Sequence, residues 1–363
     1  MRFNNLLVEN YRNIKKASVR LSNSLNVFCG GNAQGKTNLL EAACLCCIGK
    51  SYRGAKDREL IGFDSEYARV YSACESLSGP SEVCVFIPRE GKKHIEVSGS
   101  SIAKMSELLG VIVCTIFSPD DLKLVKEGPS LRRRFMDIEL CQLYPGYFSA
   151  LVQYERALAQ RNSLIRQCQD NPALFHSIDA WDEQLVKHGI KIVSFRTAYC
   201  EAVFEEAKSV HADISGGERL SCSYQPQTAL VEGEKGFLRA LNEGRREDLS
   251  HGATCIGPHR DDFFVLLNDM DIRIFGSQGQ QRTAALSLKV AQLHHATKVL
   301  GEPPVFLLDD VLSELDEKRQ KSLAENFDGL QSFLTCASES TPSVLMKANP
   351  FAYRVQDGEF KEI

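Results

Sequence analysis

A glycine-rich stretch near the start of the chain has the residue types and spacing of a phosphate-binding P-loop. Its sequence, GGNAQGKT, matches the pattern G-x-x-x-x-G-K-[S/T]. The glycines let the backbone curl so that several N–H groups point at one anion. Lys36 can reach the outer phosphates as a point charge, and the Thr37 hydroxyl can ligate the Mg²⁺ that accompanies a nucleotide. The predicted binding loop consists of Gly30, Gly31, Asn32, Ala33, Gln34, Gly35, Lys36 and Thr37.

The residues around this loop support the prediction. The apolar run Leu25–Cys29 precedes it and favours a β-strand. Residues 38–47 have the character of a helix, and Gly49 is placed to end it. Strand, glycine loop and helix in this order put phosphates at a helix N-terminus, which an isolated glycine-rich turn would not do.

A second motif, near the other end of the chain, predicts the magnesium side of the same site. Val305–Asp310 is an apolar strand that ends in two acids, the Walker B pattern. A carboxylate at the carboxyl end of such a strand lies beside the P-loop in an α/β sheet. We assign Asp309 to Mg²⁺, with Thr37, and Asp310 to the attacking water, so that Asp310 and Lys36 are the predicted catalytic residues. The alternative is a strand-end turn with capping aspartates.

A third motif, Ser277–Arg282 (SQGQQR), begins a predicted long helix and exposes the positive end of that helix. The order P-loop, Ser-x-Gly-Gln, Walker B resembles the ABC-type ATPases, and Ser313–Asp316 resembles their D-loop. In that class the Ser-x-Gly-Gln element of one subunit closes on the nucleotide of the other. The resemblance implies an ATP-dependent homodimer with two composite sites. Its trans-acting residues would be Ser277, Gly279, Gln280, Arg282 and Asp316.

Further motifs narrow the resemblance to the RecF family of bacterial recombination mediators, and it runs essentially from end to end. They are Val8–Asn13, Gly30–Asn38, Lys50–Arg53, Phe117–Leu122, Arg132–Asp137, Gly257–Asp262 and Ser277–Arg282. The family resemblance implies a weak, DNA-dependent ATPase that dimerises on ATP and binds DNA at single-strand/double-strand junctions. It also implies work with RecR and RecO to load RecA on gapped DNA. The alternative is an SMC-like clamp or scaffold that binds nucleotide with negligible hydrolysis.

Three positions depart from the usual ABC pattern. Asp310 stands where most ABC-type ATPases have glutamate, and a shorter carboxylate fits a slow, switch-like ATPase. Ala33 replaces a loop glycine and reduces the freedom of the backbone there. The switch histidine of transporters is missing, and Thr335 or Ser338 occupies its region. No Q-loop glutamine is assigned. A transporter subunit is disfavoured by these differences, and a nuclease is disfavoured because no second acidic metal domain follows Walker B.

Composition sets broad limits. The chain has 363 residues, of which 43% are hydrophobic and 25% charged, as in ordinary globular proteins. Its net charge of −4 means that any DNA site must be a local basic patch. Thirteen cysteines, mostly in apolar runs, favour reduced buried thiols, with a zinc site at Cys44-x-x-Cys47 as the alternative. No signal peptide or membrane-length apolar run is evident, so we expect a cytoplasmic protein. The family resemblance implies that it associates with the nucleoid.

The predicted fold class is α/β. It has an ABC-type P-loop lobe, with a mixed sheet and antiparallel hairpins, plus a mostly helical second lobe. We expect the first lobe to consist of residues 1–118 and 256–363, and the second of residues 119–255. The helical lobe should contain an antiparallel pair of helices separated by Asn171-Pro172. A buried strand is predicted at residues 111–117, residues 272–274 are predicted to form the strand that follows a hairpin turn at 268–271, and a short tail is expected after residue 335.

The densest basic run, Arg132, Arg133 and Arg134, is the candidate DNA contact. The alternative is that these arginines pair with nearby acids such as Asp120, Asp121 or Asp137 and hold the lobe junction. The turn Gly257–Asp262 is interpreted as structural. No sequence-reading module is visible, so binding is expected to be sequence-independent and sensitive to salt.

Overall fold

The computed structural model describes residues 1–227, 232–337 and 350–363 and confirms the predicted α/β fold class. Its α-helices are Lys36–Ile48 (α1), Pro129–Leu143 (α2), Pro145–Asp170 (α3), Ile178–Ser215 (α4), Gly233–His251 (α5), Ile272–Phe275 (α6), Gln278–Leu300 (α7) and Glu317–Ala324 (α8).

The strands of the described residues form three sheets. They are Arg2–Phe3 (β1), Asn5–Tyr11 (β2), Ile14–Arg20 (β3), Leu25–Cys29 (β4), Tyr67–Ser76 (β5), Gly79–Pro88 (β6), His94–Val97 (β7), Ser100–Ser101 (β8), Cys114–Phe117 (β9), Leu220–Gln225 (β10), Asp262–Leu267 (β11), Met270–Asp271 (β12), Val305–Leu308 (β13), Ser332–Cys336 (β14), Phe351–Gln356 (β15) and Glu359–Glu362 (β16).

A six-stranded sheet places the two halves of the nucleotide site together. Its order is β16-β15-β4-β14-β13-β9, and every pairing is parallel except that of β15 with β16. Strands β4, β9, β13 and β14 are buried throughout, as expected for a parallel sheet covered on both faces. Only β14 separates β4 from β13, so the P-loop and the Walker B acids emerge at the same edge.

Helix α1 lies between this sheet and an antiparallel sheet formed by β1–β3 and β5–β8. Its cysteines and leucines join one hydrophobic cluster with both sheets, which is why the helix is apolar on all sides rather than amphipathic. Gly49 ends the helix in the left-handed conformation and its N–H bonds to Leu45 O, as the sequence predicted.

The helical part of the chain is built on an antiparallel pair, α3 and α4, joined around Asn171 as expected. A hydrophobic cluster runs from Leu124 to Ala291 and includes the three-stranded sheet β10-β11-β12. Helix α7 contributes to this cluster with Leu288 and to the parallel-sheet cluster with Leu286. The hydrophobic cluster of the helical part therefore continues beyond residue 255. The division of the chain into lobes at residues 118 and 255 stays a prediction.

Three local predictions were wrong. Residues 272–274 form the helical turn α6 rather than a strand, because Asp271 caps it by accepting from Arg273 N. The buried strand before Ser118 begins at Cys114, since residues 111–112 belong to a turn. The expected C-terminal tail instead forms β15 and β16, and β15 pairs with the P-loop strand β4.

Candidate nucleotide-binding site

The backbone of the P-loop is held in conformations that suit glycine. Gly30 has φ 157°, and a Cβ there would lie 2.3 Å from the carbonyl oxygen of Val355 on β15. Gly35 has φ 111° just before α1. Ala33 adopts φ 63°, a left-handed value that costs a non-glycine residue about 1 kcal/mol. The substitution noted in the sequence is therefore accommodated, with some strain.

Two turns from opposite ends of the chain brace the loop. Asn13, in the β2–β3 turn, donates from Nδ2 to Ala33 O at 3.2 Å. In the β15–β16 turn, Gly358 N donates to Gln34 O at 2.9 Å and Asp357 N donates to Gln34 Oε1 at 2.6 Å. The loop conformation is thus fixed by neighbouring backbone as well as by its own glycines.

Lys36 is 6% exposed and its ammonium lies inside the loop. Nζ donates to the carbonyl oxygens of Gly30 and Gly31 at 2.8 and 2.6 Å. A cation held inside the glycine loop is suited to bind the outer phosphates of a nucleotide.

Asp309, at the end of β13, accepts hydrogen bonds from three hydroxyl groups. Oδ1 accepts from Thr37 Oγ1 at 2.7 Å and from Thr335 Oγ1 at 3.1 Å, and Oδ2 accepts from Tyr52 at 2.8 Å. Burial, and then the nearby Asp309 carboxylate, raise the pKa of Tyr52, so the phenol keeps the proton it donates. The adjacent Thr37 hydroxyl and Asp309 carboxylate are oxygen ligands of the kind Mg²⁺ prefers.

Asp310 follows in a strained backbone conformation, with φ 50°. Its N–H donates to Thr335 Oγ1 at 2.8 Å, and its carbonyl accepts from Ser313 Oγ at 2.8 Å. Thr335 therefore contacts both Walker B acids from β14, the position where a switch residue is expected. Ser338, the other residue considered for that position, lies outside the described residues.

The Ser-x-Gly-Gln motif forms a capping box at the start of α7. Ser277 Oγ accepts from Gln280 N at 3.3 Å, and Gln280 Oε1 accepts from Ser277 N at 2.9 Å. Gln280 also donates from Nε2 to Glu218 Oε1 at 2.7 Å. Ser277 is exposed, so the N-terminus of α7 faces solvent as the sequence predicted.

Arg319, on α8, connects the signature motif to the D-loop within one chain. It donates to Thr283 Oγ1 at 2.6 Å and to Gly279 O at 3.1 Å, and it pairs with Asp316. Asp316 also caps α8 by accepting from Arg319 N. The remaining predicted residue, Arg282, is half-buried on the first turns of α7. The structure thus brings the predicted trans-acting elements together on one side of the chain.

Exposed apolar side chains lie directly before the signature motif. Ile274 is 71% exposed, Phe275 66% and Met270 54%. Large apolar residues exposed in one segment are characteristic of an interaction surface. The strand predicted for residues 272–274 did not indicate this surface, because Ile272 and Ile274 would lie on the same face of a strand and be buried together.

The arginine run behaves differently from the prediction. Arg132 is 1% exposed and makes a two-pronged ion pair with Asp262, at 2.5 Å from Nε and 3.0 Å from Nη2. It therefore cannot reach a DNA backbone, and the prediction of a DNA role for Arg132 is wrong. Arg133 is half-buried and donates to Asp261 O, and Arg134 is also half-buried. Arg132 therefore has the structural role given as the alternative, but its partner Asp262 lies on β11 and is not one of the acids expected from the sequence.

The turn Gly257–Asp262 has the structural role expected of it. Arg196 is 2% exposed and donates to Pro258 O and to Asp261 within the turn. His259 donates from Nε2 to Thr254 O, so its Nδ1 accepts from the Tyr154 hydroxyl, and burial lowers the pKa of His259 to about 4. The turn is held by these buried polar contacts between α4, α3 and β11.

Cys44 and Cys47 are buried on α1. Within residues 1–227, 232–337 and 350–363, the one group of three ligand types with closely spaced donor atoms is Glu247, His251 and Cys255, so the C-x-x-C pair forms no such group. In the same part of the chain, no helix is both long and apolar enough to cross a membrane.

Comparison with known proteins gives a consistent result. The family model "RecF/RecN/SMC N terminal domain" matches residues 2–351. The DNA replication and repair protein RecF of Clostridium botulinum is 41% identical over 368 residues and covers 100% of both chains. RecF of Clostridium kluyveri is 40% identical over 331 residues, 90% of each chain.

Solved structures extend the comparison to the fold. A structure described as the recombination mediator protein RecF with ATPγS in the RecFOR pathway superposes with a TM-score of 0.92, at 34% identity, covering 100% of this chain and 98% of that one. The SMC head domain of Pyrococcus furiosus superposes with a TM-score of 0.57, at 17% identity, covering 99% and 95%. The second match reflects a shared fold.

Proposed function

Because this chain belongs to the RecF family of DNA replication and repair proteins, we propose that it is an ATP-dependent recombination mediator. In this role an ATP-bound dimer holds DNA at single-strand/double-strand junctions and helps to load RecA for repair and for the restart of replication. The observation that carries the proposal is the hydrogen bond from Thr37, at the start of α1, to Asp309, at the end of β13, because it joins the P-loop and Walker B motifs in one site.

In the proposed mechanism, ATP places its phosphates on the P-loop N–H groups at the start of α1. Lys36 moves its hydrogen bonds from the loop carbonyls to the outer phosphates. Thr37 and Asp309 would hold Mg²⁺, which would supply positive charge to neutralise the transferred phosphoryl group. Asp310 orients the attacking water, and its short side chain is consistent with slow turnover. Lys36→Arg should retain binding but impair hydrolysis, since a planar fork replaces a point charge.

We propose that dimerisation completes the site. Glu218 accepts a hydrogen bond from Gln280, and Arg319 donates one to Gly279 O, so the signature motif is held by contacts within its own chain. Ser277 and the N-terminus of α7 face solvent, where they can donate hydrogen bonds to a phosphate. The exposed Ile274 and Phe275 would pack against the second copy as it closes. Arg282 and the D-loop residue Asp316 would lie at the same interface. ATP thereby acts as the contact between subunits, and its hydrolysis separates them.

On the basis of family membership we propose that the partners are DNA, RecR and RecO, and that the protein acts in the cytoplasm at the nucleoid. Arg133 and Arg134 remain candidates for DNA contact, since both line a cavity of about 490 Å³ together with Lys50 and Lys93. Contacts of this kind reach phosphates rather than base edges, so binding should weaken steeply with salt.

The test of the proposed function measures ATP turnover and subunit mass with and without gapped duplex DNA. We expect an ATP-dependent dimer whose slow hydrolysis rises on gapped DNA, and neither property in Lys36→Ala. A chain that stays monomeric with ATP and ignores DNA would contradict the proposal.

The alternative, a nucleotide-bound clamp with negligible hydrolysis, is favoured by the strained, shortened acid at Asp310. It predicts the same ATP-dependent dimer on DNA with no phosphate release in a single-turnover measurement. Phosphate release that depends on Asp310 would exclude it.

A further inference from the structure

The C-terminal end of α5 brings together three metal ligands of different chemistry. Glu247, His251 and Cys255 follow each other at intervals of four residues, and one donor atom from each lies within 4.8 Å of the other two. A zinc ion bound to oxygen, nitrogen and sulfur holds its ligand atoms about 3.5 Å apart. Small side-chain rotations would therefore close the group around one ion.

The backbone that presents these ligands is fixed from the interior. Asp248 is 2% exposed and accepts from Cys255 N at 2.8 Å through Oδ1. Its other oxygen accepts from the fully buried Arg161 at 2.6 Å. Thr254, next to Cys255, donates twice to Asn162 on α3, at 2.8 and 2.7 Å. The loop after α5 is thus preorganised, and Cys255 is held near the last turn of the helix.

The orientation of the imidazole also favours ligation. His251 Nδ1 lies 2.9 Å from the carbonyl oxygen of Glu247, which it reaches as a donor in the neutral ring. Nε2 then keeps its lone pair. A histidine whose second nitrogen bonds to a backbone carbonyl is the usual arrangement at zinc sites. Glu247 and His251 are exposed and Cys255 is half-buried, so an ion can enter from solvent.

We propose that Glu247, His251 and Cys255 bind one divalent transition-metal ion of borderline softness, of which Zn²⁺ is the type. Thiolate and imidazole favour such an ion over Mg²⁺ or Ca²⁺, which take oxygen ligands. Water fills the fourth position of the tetrahedron. The thiol of Cys255, which contacts Ala253 O, loses its proton to solvent when the metal–sulfur bond forms.

The site would join the end of α5 to the segment that leads into the Gly257–Asp262 turn. That turn is contacted by Arg196 and Tyr154 from α4 and α3. A bound metal would therefore stabilise the connection between the helical elements and β11. It uses none of the residues of the nucleotide site, and its test does not depend on ATP turnover.

The test is a titration of the full-length, metal-free protein with Co²⁺, followed by displacement with Zn²⁺. Thiolate ligation gives a sulfur-to-cobalt charge-transfer absorption, and we expect this absorption to saturate at one equivalent. Cys255→Ser should abolish the absorption, and His251→Asn and Glu247→Gln should each weaken Co²⁺ binding at least about tenfold. Cys222→Ser, which alters another half-buried cysteine, is the matched control and should bind as the parent does.

ATP binding by each variant verifies that the chain is folded. Zn²⁺ should raise the melting temperature of the parent and of Cys222→Ser but leave Cys255→Ser unchanged. An absorption that persists in Cys255→Ser, or a parent that binds no stoichiometric Co²⁺, would overturn the proposal.

Discussion

The two halves of the composite site are built in opposite ways. On the P-loop side, Lys36, Thr37 and Asp309 are satisfied by contacts inside one chain, and Lys36 and Asp309 are almost fully buried. On the signature side, Ser277 and Phe275 are exposed, and the supporting contacts come only from behind. The first half is preorganised to bind a nucleotide alone, and the second presents a surface without its counterpart. Substitutions on the P-loop side should therefore affect nucleotide binding, and substitutions on the signature side should affect dimerisation.

The largest expected effect comes from Asp310→Asn. Losing the group that orients or deprotonates water should lower hydrolysis on the order of 10²–10⁴-fold and trap the ATP-bound dimer. Phosphate release and dimer lifetime measure this, with Asp310→Glu as the control that retains a carboxylate. Hydrolysis of Asp310→Asn at the parent rate would show that Asp310 is not the base.

Ser277→Arg should separate the two halves most clearly. A bulky cation at the exposed N-terminus of α7 should prevent closure on a second subunit, so the ATP-dependent dimer should be lost. ATP affinity of the monomer should stay within about twofold, because Ser277 belongs to the other half. Ser78→Arg, at an exposed turn distant in sequence from Ser277, is the control. Equal loss of ATP binding by the isolated subunit would contradict a trans-acting signature.

Thr335→Val tests the hydroxyl that contacts both Walker B acids. Removing the hydroxyl leaves Asp309 with one donor fewer and the Asp310 N–H without its acceptor. We expect the free energy of unfolding to fall by about 1–3 kcal/mol. We expect turnover to fall about tenfold, with the dimer still forming on ATP. Thr335→Ser keeps the hydroxyl and should be close to the parent; equal defects in both variants would point to packing instead.

Phe275→Ser tests the exposed apolar surface beside the signature. If this ring is buried on dimerisation, its loss should weaken the ATP-dependent dimer about tenfold. Sedimentation at several protein concentrations measures the change. Phe63, which is 95% exposed in another region, provides the control Phe63→Ser. The same dimerisation constant in parent and Phe275→Ser would exclude the ring from the interface.

Tyr52→Phe should have the smallest effect. The change removes one of three donors to Asp309 and leaves the ring in place, so we expect a loss of about 1 kcal/mol in Mg²⁺-dependent ATP binding. Calorimetry with and without Mg²⁺ measures it, and Tyr71→Phe is the control. A loss of equal size without Mg²⁺ would mean that Tyr52 supports the loop rather than the metal side.

The sequence predicted the P-loop side in detail because its chemistry depends on residues that are neighbours along the chain. Strand β4, the loop and α1 are consecutive, and the Walker B pattern of an apolar run ending in two acids identified the partner strand β13. The contact of Tyr52 with Asp309 was missed, because the two residues are separated by 257 positions and no sequence pattern marks their contact. Arg132 was ambiguous because a basic run has the same composition whether it faces DNA or Asp262. The hairpin β15–β16 was missed because its strands are short and their pairing partner, β4, lies over 300 residues away.

Because the β15–β16 hairpin contacts the P-loop, the nucleotide site is completed late in translation. Gly30 fits beneath the carbonyl of Val355, and Gln34 is tied to Asp357 and Gly358, all within the last residues of the chain. A nascent chain on the ribosome carries its P-loop early, but it lacks these braces until translation of residues 351–358 is complete. Chains that stop before residue 351 therefore lack these contacts with the P-loop.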